Sequence, residues 1–258
     1  MDFKNILYSQ EDSLARITLN RPDTANALSL ELIEEIITVI EGLEKSKDVS
    51  VLVIESSGKN FCSGHLLKEL VGGSLLSYRN VFTRCSEMME KLHRLAVPVL
   101  ASVRGAAFAA GCQLVGACDL AIAEENARFA TPGVKIGLFC TTPMISLTRC
   151  VGRKTALDML ITGRVLSAKE ALQHGLISRV CTADRLEEET YEIARTIATY
   201  SRVAVRSGKA SFYRQIEMAE TDALFYAKDV ISYDLAYEDA QEGIQAFLEK
   251  RAPVWKHR

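Results

Sequence analysis

Hydrophobic residues change their spacing along the chain, and this spacing predicts the secondary structure. Residues 14–19 alternate apolar and polar side chains, as a half-buried strand does. Residues 51–54 are continuously apolar, which is typical of a strand buried on both faces. Between these two segments, Ser29 can cap a helix from Leu30 to about Lys47, because the apolar residues there recur at helical spacing.

Helices and strands continue to alternate in the middle of the chain. The pattern predicts a helix over 78–95, a strand over 97–103, a helix over 110–117 and a strand over 118–123. Strand, helix and strand in this order favour a parallel sheet of the α/β class with right-handed crossovers.

Strand signals fade beyond about residue 141, and helices are predicted for the rest of the chain. Asp184 is expected to cap the helix over 184–199. The last fifty or so residues are expected to be helical and to pack on the core of their own chain or on a neighbouring subunit, since they cannot bury an apolar face alone. The helices are predicted over 143–151, 153–162, 167–174, 184–199, 202–217, 221–237 and 239–249.

Composition excludes several classes of function. The 258 residues are 48% hydrophobic and 25% charged, as in ordinary soluble proteins. A count of 31 lysines and arginines against 33 acidic residues lacks the basic excess of a nucleic-acid or anionic-membrane binder. The longest uncharged apolar stretch, 105–118, is too short to span a bilayer. The first residues carry neither a signal-peptide nor a transit-peptide pattern.

Cysteine and histidine usage points away from disulfides and metals. The seven cysteines are odd in number, scattered, and never spaced as CxxC. They favour a reducing compartment, which is the cytoplasm, or the mitochondrial matrix for a processed eukaryotic chain. The four histidines show no ligand spacing, so no metal site is expected.

Two loop-to-helix junctions carry candidate chemistry. Residues 59–70 and 104–115 each follow a predicted buried strand and pass through small residues into a helix. Backbone N–H groups at a helix start lack partners within the helix and lie at its positive end, so they suit a developing oxyanion. Either junction alone is more typical of an ordinary turn.

A family resemblance links the two junctions. From Ile17 to Trp255 the chain resembles the enoyl-CoA hydratase/isomerase (crotonase) superfamily, and it is similar to the subgroup called enoyl-CoA hydratase domain-containing proteins. The matching segments are LNRPDTANALS (19–29), FCSGHLLKEL (61–70), VPVLASVRGAAFAAGCQLVGACDLAIAEENARFATPGVKIGL (97–138), ALDMLITGRVLSAKEALQHGLISRV (156–180) and EGIQAFLEKRAPVW (242–255).

The resemblance implies an architecture and a ligand. We expect an α/β fold in which a crotonase-like spiral of ββα units, residues 1–200, binds a coenzyme A thioester. A C-terminal helical region, residues 201–258, is expected to form a homotrimer or a dimer of trimers. Coenzyme A enters as part of the acyl-CoA substrate, and no other cofactor, nucleic acid or membrane partner is expected.

The resemblance also assigns the reacting positions. The N–H groups that hold the thioester oxygen as it becomes an enolate are expected at His65 and Ala110. Hydratases of the family carry glutamates at the positions of Gln113 and Gly133. An amide takes no proton near neutral pH and glycine has no side chain. Since each acid/base group is worth roughly 10²–10⁴-fold in rate, hydration is expected to be weak or absent.

Coenzyme A contacts follow by position from the family. They are expected in the loop of Ala25, Asn26, Ala27 and Leu28, at Leu66, Leu67 and Lys68, and at Phe247 and Lys250 in the tail. Leu66 departs from the aspartate that is frequent there, which affects the shape of the loop more than the chemistry. The two lysines are also compatible with solvated surface charges, and Phe247 with helix packing, but a phosphate-rich ligand modestly favours a binding role for the lysines.

Two functions stay open at this point. The first is an enzyme, an isomerase, lyase or thioesterase, that stabilises an enolate without the usual glutamates. The second is a non-catalytic acyl-CoA binder, which the double loss at Gln113 and Gly133 favours. Short local similarity around Gly133 to dihydroxynaphthoyl-CoA synthases, some of which use bicarbonate as base, is a weaker alternative. The residues that could replace the glutamates are His65, Cys62, Cys112, Cys140, Thr131, Thr141 and Thr142.

Overall fold

The computed structural model describes residues 3–258 as two β-sheets with helices packed against them. The strands are β1 (Ile6–Glu11), β2 (Leu14–Leu19), β3 (Val51–Ser56), β4 (Val99–Val103), β5 (Ala106–Phe108), β6 (Leu120–Glu124), β7 (Arg128–Ala130), β8 (Val165–Ser167) and β9 (Arg179–Cys181). The α-helices are α1 (Leu30–Lys45), α2 (Leu75–Arg94), α3 (Ala110–Ala117), α4 (Pro143–Cys150), α5 (Arg153–Thr162), α6 (Ala168–Gln173), α7 (Leu186–Ala198), α8 (Arg202–Gln215), α9 (Glu220–Asp234) and α10 (Glu238–Glu249).

The larger sheet has six strands in the order β1-β2-β3-β4-β6-β9, all parallel except the β1–β2 hairpin. Its side chains alternate between two apolar layers because successive residues of a strand point to opposite faces. Leu52 and Ile54 face the main core under α1 and α2, whereas Val51 and Val53 face a smaller layer covered by α7. The prediction that β3 is buried on both faces is therefore confirmed.

The second sheet contains β5, β7 and β8. Together with the large sheet it forms repeated ββα units along the chain. The path β4, β5, α3 runs from the large sheet to the small one and into a helix. The path β6, β7 and α4 repeats it after a 3₁₀ turn over Pro132–Ile136. The segment at Cys62, which pairs with Ala107 as an isolated parallel bridge, takes the corresponding place between β3 and α2. This is the expected ββα arrangement.

Several predicted elements are confirmed with small shifts. α1 starts at Leu30, with Ser29 accepting the Leu32 N–H at 3.2 Å as its cap. β4 begins at Val99 and not at 97, because Pro98 directly before it has no N–H to donate. The long helices after residue 141 are present. The division into two regions at residue 200, which lies between α7 and α8, stays a prediction.

Two predictions about local structure are wrong. Asp184 does not cap α7, because a 3₁₀ turn over Ala183–Arg185 precedes that helix and no side chain caps it. Strands also continue beyond residue 141 as β8 and β9. These have only three residues each, so no alternation of apolar and polar residues could develop in them.

The C-terminal helices are attached to the core by two long cationic side chains of α8. Arg206 donates to the carbonyls of Ser46 and Val49, at 3.2 and 2.9 Å, just after α1. Lys209 donates to the carbonyls of Leu92 and Val97, both at 3.1 Å, around the end of α2. The tail closes back on the same helices, since the buried Asp239 carboxylate accepts the N–H groups of the residues at 256 and 257.

Lys209 is itself held by a buried carboxylate. Its ammonium lies 2.7 Å from Asp119, which also accepts the Tyr213 hydroxyl at 2.8 Å and the Val99 N–H at 2.6 Å. The pKa of Lys209 is lowered by burial, but the neighbouring Asp119 opposes this effect. α8 is therefore fixed to the spiral by a fully paired ionic cluster.

α9 buries no residue in the protomer, although it carries several large apolar side chains. Leu224, Phe225, Ile231 and Tyr233 are 59–75% exposed. An apolar surface of this extent is typical of a protein–protein contact.

Candidate functional site

The two loop-to-helix junctions lie side by side. The Cys62 N–H donates to the Ala106 carbonyl at 3.0 Å, and the Phe108 N–H donates to the Cys62 carbonyl at 2.9 Å. This is a parallel pairing of Cys62 with Ala107. This bridge is isolated, and two residues beyond it a Cβ built on Gly64 would lie 3.6 Å from the Ala110 nitrogen. His65, the next residue, therefore lies close to Ala110, the first residue of α3. The structure therefore brings the two predicted oxyanion positions together.

Two glycines allow this close approach. Gly64 has φ of +107°, and a Cβ built on it would lie 2.9 Å from the Ala109 Cβ and 3.6 Å from the Ala110 nitrogen. A Cβ on Gly111 would lie 2.2 Å from the Cys62 carbonyl oxygen. Only glycine fits either place without moving backbone, so the start of α3 lies directly against the 62–64 segment.

The N–H groups of His65 and Ala110 accordingly remain available. The carbonyl four residues before Ala110 belongs to Ala106 and already accepts from Cys62. Within residues 3–258, neither N–H donates to a backbone carbonyl in the loops and turns. Ala110 is fully buried at the positive end of α3. Such preorganised donors are suited to a carbonyl oxygen that gains negative charge.

Ala109 holds this geometry in a strained conformation. It has φ of +49° and ψ of −117°, in a region that residues with a Cβ rarely adopt. Its N–H donates to the Ala130 carbonyl at 2.8 Å, which ties the start of α3 to the end of β7. Strain of this kind costs roughly 1–3 kcal/mol and persists only where the surroundings enforce it.

The predicted coenzyme A loop is hydrogen-bonded to the same junction. The Ser63 N–H donates to the Ala25 carbonyl at 3.0 Å, and the Leu28 N–H donates to the Gly64 carbonyl at 2.8 Å. Leu66 N–H in turn donates to the Leu28 carbonyl at 3.0 Å. Residues 25–28 and Leu66 thus adjoin the oxyanion positions, as a ligand that reaches both would require.

Asn26 has a structural task within that loop. Its side chain is fully buried, and its amide donates to the carbonyls of Ser57 and Asn60 at 2.9 and 2.8 Å. Its oxygen accepts the Arg21 N–H at 2.8 Å. The side chain is therefore saturated and holds two loops together, so the predicted contact of Asn26 with a ligand is confined to its backbone.

The remaining predicted contact residues lie on the surface. Leu67 and Lys68 are exposed, and Phe247 is 82% exposed on α10. In the part of the chain that the structure describes, Lys68 and Lys250 make no hydrogen bond or ion pair between side chains, and Lys250 ends α10 in a left-handed conformation. Within residues 3–258, neither Phe247 nor Lys250 forms a hydrogen bond to the segments around His65 and Ala110.

Two buried side-chain oxygens near the start of α3 have no partner, in addition to the ring nitrogens of His65. Gln113 lies one turn into α3 and is 5% exposed, and Thr131 follows β7 and is 1% exposed. Within residues 3–258 neither the Gln113 Oε1 nor the Thr131 hydroxyl makes a hydrogen bond. A buried polar atom without a partner costs about 1–3 kcal/mol, so both oxygens are free to form a hydrogen bond with a bound molecule or water.

Gly133 has no room for a side chain. A Cβ built on it would lie 2.7 Å from the Leu138 carbonyl oxygen and 2.9 Å from the Cys140 sulfur. The Leu138 N–H also donates back to the Gly133 carbonyl at 3.0 Å. The 138–140 loop thus occupies the volume in which a residue-133 side chain would start, which the sequence did not reveal.

The His65 side chain does not supply a base near neutral pH. Its ring lies edge-on to Phe82 with centroids 4.9 Å apart, and both ring nitrogens are buried without a partner. This burial lowers the pKa of His65 to about 4, so the ring is neutral at pH 7. Burial also raises the pKa of the Cys140 thiol, which disfavours a thiolate there.

Residues 3–258 contain neither a metal-binding cluster nor a membrane-spanning helix. No group of three His, Cys, Asp or Glu side chains in this range is arranged to hold a metal ion. No helix in the same range is long and apolar enough to cross a membrane.

Sequence comparison identifies related proteins. Residues 9–258 match the family described as enoyl-CoA hydratase/isomerase. The chain is 47% identical over 249 residues to the mitochondrial enoyl-CoA hydratase domain-containing protein 3 of rat, covering 96% of this chain and 83% of the relative. It is 35% identical to a probable enoyl-CoA hydratase of Mycobacterium bovis over the full length of both.

Solved structures of related proteins have the same fold. The fold matches human enoyl-CoA hydratase domain-containing protein 3 with a TM-score of 0.96 at 45% identity, covering 98% of this chain and all of the other. It matches an enoyl-CoA hydratase of Mycobacterium smegmatis with a TM-score of 0.96 at 42% identity, covering 98% and 99%. The predicted spiral fold and the resemblance to the domain-containing subgroup are confirmed. With its paired junctions and its spiral of ββα units, the chain belongs to the enoyl-CoA hydratase/isomerase (crotonase) family.

Proposed function

We propose that this protein binds acyl-CoA thioesters and stabilises the thioester enolate with the backbone N–H groups of His65 and Ala110. The observation that supports this proposal is that, within residues 3–258, the segment before His65 lies against the start of α3 while neither N–H group donates to a carbonyl of the loops and turns. The thioester carbonyl accepts both hydrogen bonds, and they strengthen as its oxygen becomes negative.

Ordinary hydration of enoyl-CoA is proposed to be weak or absent. Hydration needs one group to deprotonate water and another to protonate carbon. Gln113 stands in one of the family's two glutamate positions and Gly133 in the other. His65 is neutral, but its ring nitrogens lie buried against Phe82, and the Cys140 thiol is protonated by burial. None of the four replaces a carboxylate.

A non-catalytic acyl-CoA binder is the alternative, favoured by the loss of both carboxylates. It shares the thioester site and differs only in turnover. In either case we propose coenzyme A contacts at residues 25–28 and at 66–68. Phe247 and Lys250 are proposed to reach the nucleotide of a neighbouring subunit, because they are exposed and lie away from the site of their own chain.

Assembly and location follow as proposals. The exposed apolar face of α9 supports a homotrimer or a dimer of trimers formed through the C-terminal helices. All seven cysteines are free thiols, which fits a reducing compartment. The names of several relatives include the word mitochondrial, which supports the matrix for a processed eukaryotic chain and leaves the cytoplasm for others.

Acetoacetyl-CoA tests the oxyanion site directly, because its enolate absorbs differently from its keto form. We expect the bound ligand to show enolate absorbance at neutral pH. Ala110→Pro removes one N–H at the first residue of a helix and should abolish the signal. Because Ala109 has ψ of −117°, outside the range usual before proline, thermal unfolding and acetoacetyl-CoA binding of this variant are measured beside the absorbance. Arg153→Pro, at the first residue of α5, is the matched control and should keep it. Binding without enolate absorbance in the unmodified protein would contradict the proposal.

Crotonyl-CoA hydration tests the missing glutamates. We expect the unmodified protein to be near the background rate and Gln113→Glu to gain measurable rate. Gly133→Glu is a poor test alone because its Cβ meets the Leu138 carbonyl, so Gly133→Ala must accompany it to separate steric from chemical effects. Hydration by the unmodified protein at an ordinary enzymatic rate would show that another group acts as the base.

A further inference from the structure

A cavity of about 770 Å³ lies between the β1–β2 hairpin and α7, and its volume is in the range of small-molecule sites. Within the described range 3–258, none of its lining residues belongs to the segments 25–28, 61–68 or 104–113. We propose that this cavity binds a linear aliphatic polyamine, a methylene chain that carries several ammonium groups. This site is separate from the proposed acyl-CoA site and does not depend on it.

Acidic side chains dominate the lining of the cavity. They come from the turn of the hairpin and from the first turns around the start of α7, and they are Glu11, Asp12, Asp184, Glu187 and Glu188. Within residues 3–258, Glu188 is the one member of this set that forms an ion pair, with Arg185 at 3.4 Å. Carboxylates without a cation that line one cavity create a negative potential, which attracts a ligand with several positive charges.

The two acidic groups have different local roles. The acidic residues of α7 lie in its first turn, where they stabilise the positive end of their own helix. Glu11 and Asp12 have no such role, because they end β1 and begin the tight turn of the hairpin, where Asp12 has φ of +50°. Since both groups line the same cavity, their like charges repel each other, and a bound cation would relieve this repulsion.

Two arginines also line the cavity, but they do not neutralise it. The Arg16 guanidinium lies 3.7 Å from Glu55, which is outside the lining, and 4.7 Å from the centre of the Tyr191 ring. Arg195 follows Glu187 by eight residues, which is about 12 Å along the axis of α7. The end of the cavity formed by Glu187 and the hairpin turn therefore stays negative.

Tyr191 contributes a neutral polar atom to the same cavity. The residue is among those that line the cavity and is 7% exposed, and within residues 3–258 its hydroxyl forms no hydrogen bond. Burial raises the pKa of Tyr191, so the hydroxyl stays protonated, and its oxygen can still accept a hydrogen bond. Tyr191 lies one helical turn, or about 6 Å, beyond Glu187. One ammonium group can therefore pair with the carboxylates while the next donates to the Tyr191 oxygen.

This arrangement fits an extended cation better than a metal ion. Within residues 3–258, no three side chains of His, Cys, Asp or Glu converge to hold a metal ion. The carboxylates of the cavity instead lie on two elements and are followed along α7 by a neutral hydroxyl. A polyamine distributes its charges along a chain in the same way. Leu14 and Ala198, which also line the cavity, offer apolar contacts to the methylene groups.

Calorimetric titration with spermidine tests the site at about 0.15 M salt, where attraction between exposed charges is largely screened. We expect spermidine to bind about tenfold or more tightly than Mg²⁺, because the carboxylates do not converge on one point. Glu187→Gln and Glu11→Gln, on opposite walls, should each weaken spermidine binding about fivefold. Glu192→Gln is the matched control, since it changes the net charge equally at an exposed residue of α7 outside the lining, and it should leave the affinity unchanged.

Tyr191→Phe separates a built site from a merely acidic surface, because it removes the hydroxyl and alters no charge. It should weaken spermidine binding about threefold or more. If spermidine does not bind, or binds no better than Mg²⁺, the proposal is wrong. Equal losses in Glu187→Gln and Glu192→Gln would overturn it as well, because the attraction would then come from the overall charge of the protein. A thermal unfolding transition in each variant shows that a loss of binding does not come from a loss of the fold.

Discussion

Replacing Gly111 by alanine should damage the proposed oxyanion site by displacing the backbone. The new Cβ would lie 2.2 Å from the Cys62 carbonyl oxygen and 2.8 Å from its carbon. An ordinary van der Waals separation is about 3.4 Å or more, so α3 and the 62–64 segment must part by roughly 1 Å. Overpacking of this kind costs about 1–3 kcal/mol of folding stability. A misplacement of about 1 Å costs on the order of 10²-fold in function.

The matched control for Gly111→Ala is Gly42→Ala. Gly42 is also helical, but a Cβ there meets nothing within 4 Å, so alanine should stabilise it by about 0.5–1 kcal/mol. Thermal unfolding at fixed protomer concentration should therefore move in opposite directions for the two variants. Binding of butyryl-CoA should weaken only in Gly111→Ala. If Gly111→Ala were at least as stable as the unmodified protein and bound butyryl-CoA equally well, α3 and Cys62 could not be as close as described.

Three further predictions concern strain, burial and protonation. Ala109→Gly should raise the free energy of unfolding by about 1 kcal/mol, because glycine adopts the positive φ of residue 109 without strain. A lower free energy of unfolding in chemical denaturation would contradict this. Lys209→Met should lower the free energy of unfolding by about 3–5 kcal/mol, because it leaves Asp119 without its cation. Lys228→Met, in an exposed ion pair, should lower it by less than about 1 kcal/mol. Similar shifts of the denaturation midpoint in both variants would show that Lys209 does not fix α8 to the core. The pKa of His65 is lowered from 6.5 to about 4 in the folded protein, so the unfolded chain takes up the proton at a higher pH. The free energy of unfolding should therefore be constant above pH 6.5 as far as His65 is concerned, and should fall by up to about 3 kcal/mol as the pH drops toward 4. His65→Phe should flatten that pH dependence, and an unchanged slope in denaturation curves would refute it.

Sequence patterns predict the parts of this fold that generate long periodic signals. α1 carries seven buried apolar residues at helical spacing and β3 is continuously apolar, so both were predictable. β1 has only Ile6 buried among its six residues, and β5, β7, β8 and β9 have three residues each. Short or exposed strands are defined by pairing with distant segments, which a local pattern does not contain.

The site was predictable where it depends on the backbone and unpredictable where it depends on packing. The resemblance placed the paired N–H groups at His65 and Ala110, and the structure brings these residues together. It did not indicate that Asn26 is saturated by two loops, or that Cys140 fills the volume over Gly133. Such facts arise from contacts between segments far apart in sequence. The positive φ of Ala109 likewise had no sequence signal, because alanine is not the residue that normally occupies such a conformation.

The cations of α8 have a consequence for synthesis of the chain. Arg206 and Lys209 donate to carbonyls at or just after the ends of α1 and α2, so the ends of two early helices are completed by residues that leave the ribosome later. At about 5–20 residues per second, the wait between residue 95 and residue 209 is roughly 6–23 seconds. Until residues 206 and 209 are made, these carbonyls lack their side-chain donors and are expected to bond to water instead. A nascent chain stalled before α8 should therefore be cut by protease near residues 46–49 and 92–97, and protection there should report the arrival of the last helices.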